Sequence, residues 1–272
     1  MRLATWNVNS IVARMPRVLE WLEHVKPDVL CLQETKVADA SFPRAEIEAL
    51  GYEVASHGDG RWNGVAILSR GELADVSRGF DGEPGFPEPE ARAIAATSAG
   101  VRVWSVYVPN GRALDDPAYA YKLAWLSALR QAVQADMADA RALVVCGDFN
   151  IAPSDDDVWD PRVFVGSTHV SAAERKQLED LLALGLTDLQ PRALKGRPFT
   201  YWDYRAGMFH QGNGMRIDLV LVSAALAGAV QDAYIDRDAR KGTKPSDHAP
   251  VVVDLELAQP GATAGATAER SA

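Results

Sequence analysis

Five separated segments end apolar, strand-like runs on residues that bind metals or move protons. They are Asn7 in TWNVN, Glu34 in CLQETK, Asp148 and Asn150 in CGDFN, Asp218 in RIDLVL, and the adjacent Asp247 and His248 in SDHAP. Each alone has a bland reading: Glu34 as a cap, Asp148 as a turn former, Asp218 as a partner for Arg216, and Ser-Asp-His-Ala-Pro as a turn begun by the Asp247 side chain. Together they say more, because charged residues rarely flank buried strands unless paired or bound to a cation. Carboxylates that converge repel one another unless a divalent cation sits among them. Oxygen ligands without thiolate point to a hard ion, magnesium or manganese rather than zinc, and magnesium is commonly held by one or two carboxylates plus substrate phosphate. This pattern points to phosphate-ester chemistry.

Such convergence requires strands that end at one place. RLATWNV, DVLCLQE, GVAILS, VRVWSVYV, ALVVCGDFN, IDLVLVS and PVVVDLEL are short runs rich in β-branched and aromatic residues, the composition of strands. Helical patterns lie between several of them. Pro16 opens PRVLEWLEHV, with Val18, Leu22 and Val25 on one face. Ser171 and Glu174 form a capping box for a helix closed by Gly185, and a longer helix spans Pro117 to Met137. The chain is therefore α/β, with sheets packed together and helices outside. RLATWNVNS and LVVCGDFNIAP are alike, each an apolar strand ending in an asparagine, which predicts two sheet-containing halves with no linker between them. The Gly/Ala/Thr-rich segment from Ala258 cannot bury enough surface to fold, which leaves 1–257 as one domain and 258–272 as a disordered tail.

The composition bounds the class. With 272 residues, 47% of them apolar, the chain has ample material for a core. No apolar run reaches the roughly 18 residues a membrane span needs, and MRLATWNVNS lacks a signal-peptide layout, so a soluble, cytoplasmic protein without a membrane partner is expected. Cys31 and Cys146 lie in apolar runs and read as buried hydrophobes, with no disulfide and no zinc. The net charge of −9 argues by itself against nucleic acid, and only a local basic face or bound cations would answer that objection.

TWNVNS, LQETK, YVPNG, GDFNIAP, RIDLVL and SDHAP, in this order and spacing, resemble the motifs of the exonuclease III family of bacterial abasic-site endonucleases, within the endonuclease/exonuclease/phosphatase superfamily. The likeness runs from Met1 to Leu257. It implies a DNase I-like, four-layered α/β sandwich: two β-sheets face to face, with helices on the outer faces. It also implies a monomeric, magnesium-dependent nuclease, with manganese as the alternative ion, acting at the nucleoid on double-stranded DNA with abasic or 3′-blocked lesions. Such an enzyme hydrolyses the phosphodiester 5′ to abasic sites and removes nucleotides 3′→5′. By that similarity Glu34 would hold the ion with Asn7 and Asp247 near it, and Asp148, Asn150 and His248 would take a second ion if there is one. Asp148 would orient or deprotonate the attacking water, Asn150 would fix that water or a phosphate oxygen, and Tyr107 would bond the scissile phosphate. Asp218 would set the tautomer of His248. Tyr201, Trp202, Met215 and Ile217 would form an apolar pocket for an extruded abasic sugar, with a core cluster as the alternative. Trp62 would enter the minor groove. Arg61, Arg92, Arg112, Lys122, Arg240, Lys241 and Lys244 would supply the basic face.

Rival readings keep distinct signatures. Relatives resembling DNase I place a second histidine after the central strand, where this chain has Asn110, and none of His24, His57, His169 and His210 sits in a comparable motif. Another phosphodiesterase, acting on RNA or a small phosphate ester, remains the runner-up. A catalytically silent DNA-binding module on the same fold predicts a lost metal ligand, and none is missing. The motifs leave open whether Asp148 or His248 is the general base, whether one metal or two are used, and how incision balances against exonuclease.

Overall fold

The structure, a computed structural model, describes residues 1–138 and 142–257. The tail expected at 258–272 lies outside the described residues. In chain order the elements are β1 (Arg2–Asn7), α1 (Ile11–Val25), β2 (Val29–Gln33), α2 (Arg44–Glu48), β3 (Glu53–His57), β4 (Val65–Ser69), β5 (Ala74–Arg78), β6 (Ala93–Ser98) and β7 (Val101–Tyr107). They continue with α3 (Pro117–Met137), β8 (Ala142–Asp148), α4 (Ala172–Leu182), β9 (Leu186–Asp188), β10 (Arg192–Ala193), α5 (Met208–Gln211), β11 (Asp218–Ser223), α6 (Ala224–Ala227), β12 (Val230–Ile235) and β13 (Val251–Leu255).

The strands form two sheets, ordered β10-β12-β13-β1-β2-β4-β3 and β5-β6-β7-β8-β11-β9. The seven strands expected from composition are the seven central ones. Those missed are edge strands or the neighbours of edge strands; β3, β5, β9, β10 and β12 are partly exposed and lack the continuous apolar run that burial on both faces imposes, while β6 is buried but reads AIAATS, half of it alanine.

Alternation explains the layers. On β2, Val29 and Cys31 point into the space between the sheets while Leu30 and Leu32 point outward; on β8, Val144 and Cys146 point in while Leu143 and Val145 point out. The inward set packs sheet on sheet. Val18, Trp21 and Leu22 of α1 cover the outer face of the first sheet, and Trp125 and Leu129 of α3 with Leu178 and Leu181 of α4 cover that of the second. This is the expected four-layered α/β sandwich. The cysteines are buried and free, as expected.

Two helix ends follow local rules. Ser171 caps α4 in a reciprocal box with Glu174. Helix α1 begins five residues before Pro16, because the Ser10 side chain accepts from the Ala13 amide and caps it there. The proline is then internal, and the carbonyl it leaves without a donor belongs to exposed Val12.

The expected likeness of the two halves has a structural counterpart. β1 lies between a parallel neighbour, β2, and an antiparallel one, β13; β8 lies between parallel β7 and antiparallel β11. The polar ends of β1, β2, β7 and β8 therefore meet at one rim of the sandwich. Gly147 sets the last of these in place: a Cβ there would collide with the Val106 carbonyl, so only glycine brings β8 close enough to β7 to seat Asp148.

Candidate active site

Glu34, Asp148 and His248 converge at that rim, with one ligating atom of each within 4.8 Å of the others. Asn7, the last residue of β1, ties the carboxylates together: its Nδ2 donates to Glu34 Oε1 at 2.8 Å and to Asp148 Oδ2 at 2.9 Å. Its Oδ1 accepts from the Asn9 amide at 3.0 Å, which leaves that oxygen one further lone pair. Asp148 Oδ1 accepts from the Asn150 amide at 2.9 Å. Asp218 is paired in register with Asp148 across β11 and β8, and its Oδ2 lies 2.8 Å from His248 Nδ1. That contact turns His248 Nε2 toward Asp148 Oδ2, 3.7 Å away.

Burial decides the electrostatics. Asp148, Asp218 and His248 are each at most 3% exposed. Desolvation, with Asp218 and Glu34 nearby, pushes the Asp148 carboxyl up to about 7, while His248 and Asn7 pull the other way. Burial alone would depress the His248 ring, but Asp218 and Asp148 raise it to about 10, so the imidazole is charged near neutrality. Burial also works against the Glu34 charge; Lys36, 2.6 Å from its Oε2, with the Asn7 bond, holds it below the usual carboxylate range. Tyr107 is pushed well above 10 by burial and by Glu34, so its hydroxyl keeps its proton and donates. A buried carboxylate, Asp148, and a half-buried one, Glu34, crowded beside an amide make a donor set suited to a hard divalent cation.

Several residues lie elsewhere than the resemblance implied. Asp247 falls outside the convergent group: its Oδ1 accepts from Asn9 Nδ2 at 3.1 Å, and Asn9 Oδ1 in turn accepts from Lys36. Arg92 does not reach outward. It is buried and paired with Glu90 at 2.6 Å, and its guanidinium lies over the Tyr107 ring at 4.8 Å, buttressing that phenol. Lys122 is wholly buried against Glu174, and Arg240 is buried with its guanidinium on the Ser246 and Trp202 carbonyls, so neither belongs to a basic face. Trp202 is a core residue, packed edge-on against Phe209 at 5.2 Å. Met215 and Ile217 are buried with Ala152 and Val158, the core-cluster alternative. Of the expected apolar pocket, Tyr201 meets the convergent group, its ring 4.9 Å from that of His248. Arg216 pairs with Asp157 and Asp188 rather than Asp218.

Trp62, by contrast, is 66% exposed with Arg61 over its ring, and Arg112, Lys241 and Lys244 are exposed.

The motifs also hid partners. His169 Nε2 lies 3.0 Å from Asn150 Oδ1, and Asn110 Nδ2 donates to the same oxygen at 3.2 Å, while Asn150 Nδ2 donates to the Val108 carbonyl. Since that carbonyl only accepts, the amide orientation of Asn150 is fixed. His169, a non-glycine residue at φ 78°, reached the site through a loop between two motifs, where no sequence signal marks it. Asn9 and Lys36 were legible by position, standing within NVNS and LQETK themselves.

Comparison with known proteins agrees with this geometry. Residues 4–248 match the model of the Endonuclease/Exonuclease/phosphatase family. The chain is 34% identical to exodeoxyribonuclease III of Haemophilus influenzae over 94% of this chain and all of that protein. Among solved structures it resembles the 3′-5′ exonuclease NExo from Neisseria meningitidis (43% identity, TM-score 0.90). It also resembles an AP endonuclease from Archaeoglobus fulgidus (39% identity, TM-score 0.88). Each match covers 94% of this chain and all of the other.

Proposed function

The chain belongs to the Endonuclease/Exonuclease/phosphatase family and is an exodeoxyribonuclease III-like hydrolase, and from that membership we propose that it is a magnesium-dependent DNA repair nuclease. Its substrate is double-stranded DNA, cut on the 5′ side of abasic sites and trimmed 3′→5′ from blocked or recessed ends. Similarity to both a 3′-5′ exonuclease and an AP endonuclease supports the pairing of activities. The observation that carries the reading is the meeting of Glu34, Asp148 and the Asp218-held His248 in one cluster.

The residues divide the work. A magnesium ion, with manganese as substitute, held by Glu34 and Asp148, would supply positive charge to the phosphate oxygens. Asp148, the carboxylate at the end of β8, orients the water that attacks phosphorus in line and accepts its proton. His248 is charged at neutral pH and so is a donor rather than the base; with its Nδ1 fixed by Asp218, it bonds a non-bridging oxygen through Nε2. Tyr107 donates to the same phosphate. The bond to the 3′ oxygen breaks and a 3′-hydroxyl remains. Trp62, Arg61 and Arg112 form the exposed face that meets the duplex.

A product assay tests the proposal, using a duplex with one abasic site and a duplex with a recessed 3′ end, each with magnesium and with chelator. Magnesium-dependent incision leaving a 3′-hydroxyl, strongly impaired in Glu34→Ala and Asp148→Asn, is expected. Full activity in either variant refutes its assignment, and binding without cutting identifies a silent module.

A further inference from the structure

Lys122 was expected to reach DNA, and the structure gives it a different environment. Its side chain and that of Glu174 are both fully buried, with Nζ 2.5 Å from Glu174 Oε1. The two other ammonium protons have partners of one kind: the backbone carbonyls of Asn150, at 2.7 Å, and Asn110, at 3.2 Å. Both residues belong to the active-site rim, and their side chains meet on Asn150 Oδ1. Glu174 is a hub in turn. Its Oε1 accepts from the His169 amide at 2.9 Å and the Thr168 hydroxyl at 2.6 Å, while its Oε2 is engaged in the capping box of α4. One ion pair thus grips the backbone of Asn110, Asn150 and His169, three residues whose side chains form one hydrogen-bonded group beside the catalytic cluster.

Buried ion pairs are costly to desolvate, and an apolar pair of similar volume often serves stability as well or better. The ammonium here is placed where an apolar side chain would leave the Asn150 carbonyl without a donor and that of Asn110 with the Thr168 hydroxyl alone. The surroundings are tight: a Cβ on Gly111 would meet Lys122 Cδ at 3.1 Å and Thr168 Oγ1 at 3.0 Å.

We propose that Lys122 and Glu174 are positioning residues of the nuclease: the pair sets the Asn110 and Asn150 backbones and the seat of the His169 ring, and its loss lowers kcat rather than DNA affinity. This rests on the function proposed above. It also separates Lys122 from the exposed cations, since a lysine that contacts no phosphate leaves the salt dependence of binding unchanged.

The test is the double variant K122M/E174Q, which removes both charges and so leaves no unpaired ion in the core. Its melting temperature is expected within a few degrees of wild type, its KM for duplex DNA within about 2-fold, and its kcat lowered about 10- to 100-fold, the range seen when partners behind an active-site group are lost. In an N150A background the same pair of changes is expected to add little further loss, because it acts through that residue. A folded double variant with kcat within about 2-fold of wild type, or losses that multiply fully in the N150A background, would overturn the proposal. If the double variant does not fold, near-isosteric E174Q alone is measured in the same cycle, with the same two outcomes deciding. A readout without substrate separates this proposal from the functional one: NMR signals of the His169 ring and the Asn150 side-chain amide should shift in the variant while the His248 ring stays. Unchanged signals refute the positioning role even if wild type proves inactive on every DNA tested, a result that would instead refute the proposed function.

Discussion

Replacing Asp148 by asparagine should make the metal-free protein more stable while destroying its activity. The Asp148 carboxyl, ordinarily near 3.8, stands at about 7, chiefly because burial disfavours its charge. A folded-state pKa above the unfolded one means that the fold favours the neutral acid. The stability it supports is full below pH 3.8 and is lost as pH rises through 7. A rise of about 3 in pKa, at about 1.36 kcal/mol each, costs about 4 kcal/mol once the group is ionised. Asparagine removes that cost but, with its oxygen kept on the Asn150 amide, turns an NH2 group toward the Asn7 Nδ2 and His248 Nε2 donors, so a net gain of about 1–2 kcal/mol is expected. For a domain of this size that corresponds to roughly 2–8 °C in melting temperature. The assay is thermal unfolding at pH 8 of wild type and Asp148→Asn, in chelator and in magnesium, alongside incision of an abasic duplex. Magnesium should raise the wild-type transition, since it binds only the folded site, and raise that of the variant less. A variant no more stable than wild type in chelator, or equal magnesium shifts in both, would refute the view that Asp148 is a strained carboxylate awaiting a cation.

Asp218→Asn removes the largest influence that raises the His248 ring from below 7 to about 10, so the alkaline limb of the kcat profile should move to lower pH, with kcat down about 10- to 100-fold; an unmoved limb would dissociate His248 from it. Arg112→Ala, at an exposed side chain, should reduce the slope of log binding against log salt by about 1, whereas Lys122→Met should leave it alone; equal slopes in both would return Lys122 to the DNA face. Trp62→Ala should raise KM several-fold without changing the melting temperature, because the ring is 66% exposed and packs on little besides Arg61; a lowered transition would show a structural role.

The centre of the fold was legible in the sequence and its margins were not. Strands such as β2 and β8 are buried on both faces and so write an unbroken apolar run into the chain, whereas β5, with four of its five residues exposed, writes almost nothing. The convergent group was legible for a related reason: Glu34, Asp148 and Asp218 are charges placed against apolar runs, which is conspicuous in one dimension. Cations were misread because exposure is not. Lys122 and Arg112 look alike in the sequence, and what distinguishes them is Glu174, 52 positions beyond Lys122 and identified only as a helix cap. His169 was hidden similarly, since its relation to Asn150 depends on how a loop returns. Trp202, Met215 and Ile217 sit close to the site along the chain but face the core, a matter of side-chain direction that residue type does not record.

The pairing of β1 with β13 bears on how the enzyme comes into being. The first of the described strands is flanked on one side by the last of them, about 250 positions later, so the first sheet stays split until that late segment has been synthesised. His248 arrives only three residues before β13 begins, in the same stretch of chain that completes the sheet. Nascent fragments holding Glu34 and Asp148 therefore lack the imidazole for as long as they lack the closing strand, and synthesis delivers phosphodiester cleavage and a finished scaffold in a single late event.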